Sequence, residues 1–226
     1  MLGRLAGCGI LLLFFSCGLR SQQARGTEGG MLLSLVTERD LYRSLSLSLE
    51  EELRLISGGP LPERASGSLG IDYAVGRRHV KIGLYYAFIY LYGEEHVYES
   101  RHRFFLNLSY RHSLGPLTFS WRIRLQETLR NESRGSYRIN PRYGMKNKLE
   151  AEYSPWGKPW KPFLSCDVST NLNDPETRYD AVRLRFQGGI VRRLNRTTSI
   201  DLFVRWDEYL KDLDPRVISI GVTCKN

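Results

Sequence analysis

LTFSWRIRLQETLR, residues 117–130, is the stretch whose reading decides the fold. Leu117, Phe119, Trp121, Ile123 and Leu125 share one parity, and Thr118, Ser120, Arg122, Arg124, Gln126, Thr128 and Arg130 share the other. A period of two belongs to a β-strand with one apolar and one polar face. The run outlasts the usual strand of about 5–6 residues and is long enough for the roughly 9–11 tilted residues that cross a bilayer. Its apolar face therefore meets either a protein core or lipid.

Composition does not object to lipid. The mean hydropathy of −0.35 is that of a soluble protein, but half of each spanning strand of a barrel faces a lumen and is polar. Helical spans are excluded, because beyond the first twenty or so residues no apolar run approaches the roughly 18 residues such a span needs. The start of the chain reads as an export signal: Arg4, then the apolar Gly9–Phe15 run, then small and polar residues up to Ser21. Leu5-Ala6-Gly7-Cys8 precedes the apolar run instead of ending it, so lipidation is set aside. Residues 1–21 are expected to be a signal peptide, 22–40 a lead-in, and 41–226 a single barrel domain. Loss of Arg4 and Arg20 takes the formal charge from +9 to +7. The remaining Cys166 and Cys224 are expected to be free thiols.

Outward from the central stretch the alternation repeats. Tyr98–His112 sets Phe104, Leu106, Leu108 and Tyr110 against Arg103, Asn107, Ser109 and Arg111, with Phe105 intruding on the polar side. Arg142–Tyr153, Tyr179–Leu194, Thr198–Trp206 and Val217–Thr223 alternate in the same way. Leu41–Ile56 alternates Leu with Ser and Glu, and the strand reading is preferred to a helix built on its EEELRL segment. Val80–Tyr92 is apolar on both faces, and Tyr85, Tyr86, Tyr90 and Tyr92 are candidates for an interfacial girdle. Gly58-Gly59-Pro60, Gly76-Arg77-Arg78, Gly93-Glu94-Glu95, Gly115-Pro116, Ser154–Pro162 and Asn171–Glu176 punctuate the strands as turns or loops. Met31–Thr37 is a short partial strand. The pattern predicts an all-β, antiparallel up-and-down meander closed as an outer-membrane β-barrel of about 10 strands, with 12 possible.

Basic residues alternate with apolar ones and mix with acids, the pattern of a polar strand face and not of a nucleic-acid patch. On the barrel reading Arg54, Arg103, Arg122, Arg124, Arg142, Lys146, Lys148, Glu150, Glu152, Arg183, Arg185, Asp201 and Arg205 face the lumen. Arg122 and Arg124 are expected to find partners around Glu150 and Glu152. These charges either form an interstrand salt-bridge network that fills the lumen or line a pore or small-anion site; a barrel of about eight strands is just filled by side chains, and the filled reading is preferred. Catalysis has little support. His79, His96, His102 and His112 fall at turns or strand ends, and neither Ser100 nor Ser109 is marked as a nucleophile. No Cys/His spacing of the zinc type occurs, so no cofactor or metal is expected.

The segments RHRFFLNLSYR (101–111), FSWRIRLQETL (119–129) and KNKLEAEY (146–153) with the following Pro-Phe, together with the closing meander, resemble a Bacteroidetes family of exported proteins, domain of unknown function two-four-nine-zero. The resemblance covers nearly all of the mature chain. It implies an outer-membrane β-barrel of uncharacterised activity and carries no catalytic set. The chain departs from common barrel practice in ending Cys224-Lys225-Asn226 and not on an aromatic residue. The expected protein is a Gram-negative outer-membrane monomer, not an enzyme, in contact with lipid and inserted by barrel-assembly machinery. A narrow anion-preferring channel and a membrane-embedded lipid hydrolase or acyltransferase are the alternatives.

Overall fold

The computed structural model describes residues 27–56, 62–76, 79–92, 98–131, 139–176, 179–195, 197–210 and 216–226; the expected signal peptide and His96 lie outside these residues. Eleven strands close into one barrel. They are β1 (Thr27–Tyr42), β2 (Leu45–Ile56), β3 (Pro62–Val75), β4 (Val80–Tyr92), β5 (Tyr98–Leu114), β6 (Leu117–Arg130), β7 (Arg142–Tyr153), β8 (Trp160–Asn171), β9 (Ala181–Arg193), β10 (Ser199–Tyr209) and β11 (Arg216–Lys225). Each strand pairs antiparallel with its chain neighbour, as two-residue hairpins such as Gly115-Pro116 permit. Gly115 takes φ 60° there, a conformation that costs a side chain more than it costs glycine.

Closure differs from the sequence expectation. The count is eleven and not ten or twelve, and β1 pairs with β11 in parallel register, Thr27 with Arg216 through Val36 with Lys225. An odd number of antiparallel strands leaves the first and last running the same way, so a parallel seam is the only way to close the ring. Asn226 extends the seam by accepting from the Glu38 amide and donating to the Val36 carbonyl, both at 2.9 Å. The strand Thr27–Tyr42 also means that the barrel begins well before residue 41, inside the expected lead-in. One further boundary moves. Trp160, Lys161 and Pro162 belong to β8 and not to the preceding turn. Pro162 pairs with Ile190 of β9 but lies beyond the last partner on β7, so its missing N–H does not interrupt that ladder.

The parity read from the sequence sorts the residues into outside and inside. Outward are Leu69, Ile71, Leu84, Phe104, Leu106, Leu108, Trp121, Leu149, Phe186, Leu202, Val204 and Ile220, all exposed. On β5 this apolar face runs between His102 and His112. Those ten residues span about 34 Å along the strand, or about 25 Å along the axis at a tilt of roughly 40–45°, the height of a hydrocarbon band. Tyr86 and Phe88 surround His102 at one edge, with a 2.8 Å hydrogen bond between Tyr86 Oη and His102 Nδ1. Tyr110 stacks on His112 at the other. An apolar belt this wide on a soluble surface would be an association site; its height and aromatic edges match a bilayer. Trp156, 90% exposed, stands on the turn between β7 and β8.

The two ends of the barrel are unequal. The connections at one end (43–44, 76–79, 115–116, 154–159 and 194–198) hold two to six residues. Those at the other (57–61, 93–97, 131–141, 172–180 and 210–215) hold five to eleven. β1 starts at the long-loop end and β11 finishes at the short-turn end.

Candidate functional site: a cationic lumen

Inward parity fills the barrel with polar side chains around a cavity of about 440 Å³. Twelve basic side chains line it against six carboxylates. Arg54, Arg103, Arg122, Arg124, Lys146, Lys148, Glu150, Glu152, Arg183, Arg185, Asp201 and Arg205 are all among the lining residues. Arg142 stands on the same face of β7 but at the long-loop end, outside the cavity, where Nε and Nη2 donate to Asn171 at 3.1 and 2.8 Å.

Asp207 is 0% exposed. Arg185 donates to it in bidentate fashion, Nε to Oδ1 at 2.5 Å and Nη2 to Oδ2 at 3.1 Å. Arg54 Nη2 and Arg205 Nε lie 3.2 and 3.3 Å from Oδ2. Arg54 belongs to β2 and Asp207 to β10, so this ion pair straddles the parallel β1–β11 seam from the inside. A carboxylate buried under three guanidiniums is sustained only by those contacts, since an unpaired buried charge costs several kcal/mol. Asp207 was readable on the polar face of its strand, but its central role was not, because Arg54, which joins Arg185 and Arg205 on it, comes from the other end of the chain.

Two aromatic–glycine joints shape the lumen wall. Tyr85 points inward, not to the girdle. Its ring stacks on Phe105 at 4.8 Å between centroids and 5° between planes. Its hydroxyl donates to Asp72 Oδ2 at 2.5 Å. The ring lies so close over Gly70 and Gly83 that a Cβ at either would overlap Tyr85 or Asp72. Phe203 covers Gly221 in the same way. Phe105 thus has a physical reason to break the polar parity of β5: it is 4% exposed, stacked by Tyr85 on one side, and capped by the Arg124 guanidinium 4.0 Å from its ring centre.

The expected pairing of Arg122 and Arg124 with Glu150 and Glu152 does not form. The β6–β7 register sets Arg122 opposite Lys148 and Arg124 opposite Lys146. Glu150 is taken by Lys148 at 2.6 Å and Glu152 by Lys161 at 2.9 Å. Arg124 donates to Asn107 at 2.8 Å instead. Sequence parity gives the face of a residue and not its rung, and one rung separates a carboxylate from an amine on β7. Elsewhere in the lumen Lys225 meets Asp201 at 2.5 Å, and Arg64 meets Glu52 at 3.9 Å. Arg64, Glu50, Glu52 and Asp167 line the cavity too and were not singled out from the sequence.

Cys166 and Cys224 are free and stand on the outward parity of β8 and β11. His79, His102 and His112 stand at the outer edges of the apolar belt, away from the lumen. Among the described residues no group of three or more His, Cys, Asp or Glu side chains is placed to hold a metal ion.

A family model described as a protein of unknown function (DUF2490) matches residues 29–209. No curated protein matches the chain. Among solved structures, the chain is similar to the crystal structure of the beta domain of the Bordetella autotransporter BrkA, with 11% identity, a TM-score of 0.41, and coverage of 83% of this chain and 86% of that one. The geometry is that of a membrane-associated β-barrel of uncharacterised activity, with its apolar face outward and its charges inward.

Proposed function

The chain belongs to the DUF2490 family of proteins of unknown function, and on that premise we propose that it is a monomeric barrel of a Gram-negative outer membrane with a charge-filled, ligand-binding lumen. The observation that carries this is the opposition of the two faces: an apolar belt about as tall as a hydrocarbon core outside, and a lumen crossed by ion pairs inside. Export through the 1–21 leader and insertion by barrel-assembly machinery complete the reading. The long-loop end faces out of the cell and the short-turn end the periplasm, as in other barrels of this kind. The chain departs from the even strand number of bacterial single-chain barrels.

The test is fractionation followed by unheated and heated gel electrophoresis. The expected result is recovery with outer-membrane lipid and faster mobility before heating. Recovery in the soluble periplasm without a mobility shift would overturn the proposal. A second reading, a narrow anion-preferring channel, is favoured by the excess of basic over acidic lining. Planar-bilayer recording separates the two: the filled lumen gives no steady current, and an anion-selective current would establish the channel.

A further inference from the structure

The cations of the lumen are unevenly provided with carboxylates. Those near Asp207, Glu150 and Glu152 are paired. Six other lining cations have no carboxylate partner among the described residues: Arg111, Arg122 and four on one wall, Arg103, Arg124, Lys146 and Arg183. Arg124 of β6 faces Lys146 of β7, which faces Ser169 of β8, which faces Arg183 of β9. This continuous rung holds three cations and no acid. Arg103 of β5 lines the same cavity and, among the described residues, donates only to the Thr128 hydroxyl, at 3.0 Å. The partners of the rung are likewise neutral: Asn107 for Arg124 at 2.8 Å and Ser169 for Arg183 at 3.2 Å. Lys146 has no hydrogen-bond or ion-pair partner among the described residues. Arg183 Nε is buried and without an acceptor. The nearest carboxylate on this wall, Asp167, sits one rung away between Lys148 and Arg185.

Like charges directly opposite on neighbouring strands destabilise a sheet, and these cations are half-buried in the lumen, where a charge without a counter-charge is less well solvated than at an open surface. A chain that builds such a row inside a barrel leaves a place for an anion. The arc from β6 to β9 is about 14 Å long at a strand spacing of about 4.8 Å, and it is concave because it lines a barrel. Guanidinium forks match the oxygens of phosphoryl groups in bidentate fashion, and a lysine adds a point charge. All four residues lie in the half of their strands nearest the longer connections, so the row stands towards that end of the barrel.

We propose that Arg103, Arg124, Lys146 and Arg183 form a binding site for a small phosphoryl oxyanion of at least two negative charges, reached from the long-loop end. The site names a ligand class for the lumen of the preceding section and rests on its inward-facing charges.

The test uses the full mature barrel in detergent, with inorganic pyrophosphate as probe and sodium chloride at matched ionic strength as control. Pyrophosphate should raise the thermal midpoint in a saturable way and chloride should not. Lys146→Met should weaken pyrophosphate binding at least tenfold, and without ligand should melt no lower than the parent, because it removes a like charge from the row. An equal rise with chloride, or unchanged affinity in Lys146→Met, would overturn the site. So would a lowered midpoint of that variant without ligand, which would make Lys146 part of the structural network. Arg183→Gln supplies a second variant with the same expected loss of affinity. A heat-modifiable membrane barrel that ignores pyrophosphate overturns the site alone. A chain that binds pyrophosphate but fractionates as soluble overturns the membrane reading alone.

Discussion

Asp207 and Lys146 show two fates for a charge inside the same lumen. Asp207 is fully buried and held by Arg54, Arg185 and Arg205. Removing one partner of a buried ion network leaves the others uncompensated and costs about 3–5 kcal/mol. Asp207→Ala is therefore expected to lower the unfolding free energy by that amount, read as a lower denaturant midpoint, and Asp207→Ala combined with Arg54→Met should recover part of the loss because one orphaned cation is gone. Equal stability of Asp207→Ala and the parent in urea titration would show that the cluster is solvated. Lys146 has no such partner, and its replacement by Met is expected to go the other way.

At the scale of strands, side-chain size is matched across the wall. Gly70 on β3 and Gly83 on β4 make room for the Tyr85 ring. Gly70→Ala must displace that ring from its stack on Phe105 and its hydrogen bond to Asp72. Overpacking of this kind typically costs about 1–3 kcal/mol. Tyr85→Ala added to Gly70→Ala should make the glycine substitution nearly neutral, and additive losses in the double variant would disprove the joint. The outer face obeys a different rule. Leu106→Arg, in the middle of the belt on β5, is expected to cost about 2–4 kcal/mol for folding into lipid vesicles. Ser109→Arg, on the inner face, should cost less. Similar penalties for both would place solvent, not lipid, around the belt.

At the scale of the whole barrel the parallel seam is the decisive feature. The register sets Leu35 of β1 beside Cys224 of β11, and both point outward. Adjacent strands bring Cα atoms to about 4.8 Å, within the span a disulfide bridges. Leu35→Cys should therefore cross-link to the native Cys224 under mild oxidation, seen as altered mobility on a non-reducing gel. Leu33→Cys, two residues out of register, should not. Cross-linking of Leu33→Cys but not of Leu35→Cys would mean a slipped seam.

The alternation in residues 117–130 and its neighbours was enough by itself to specify most of the strands, their two faces and a closed membrane barrel. A side-chain period of two fixes which residues share a face regardless of what lies beside them. It also explains why twelve of the thirteen expected lumen charges line the cavity and why Arg142, on the same face but at a strand end, does not. The rungs, the closure and the pairings came only from the tertiary structure. Which residue faces which depends on turn lengths and bulges, such as the shift at Arg54/Leu55. The eleventh strand was legible only as the partial strand Met31–Thr37; its full extent, Thr27–Tyr42, includes a polar, Gly-containing start, and its presence turned the seam parallel. The sequence alone also placed Arg122 and Arg124 beside carboxylates; the fold set them opposite lysines. That single rung is the difference between a lumen neutralised by its own acids and one with a row of cations left for an anion.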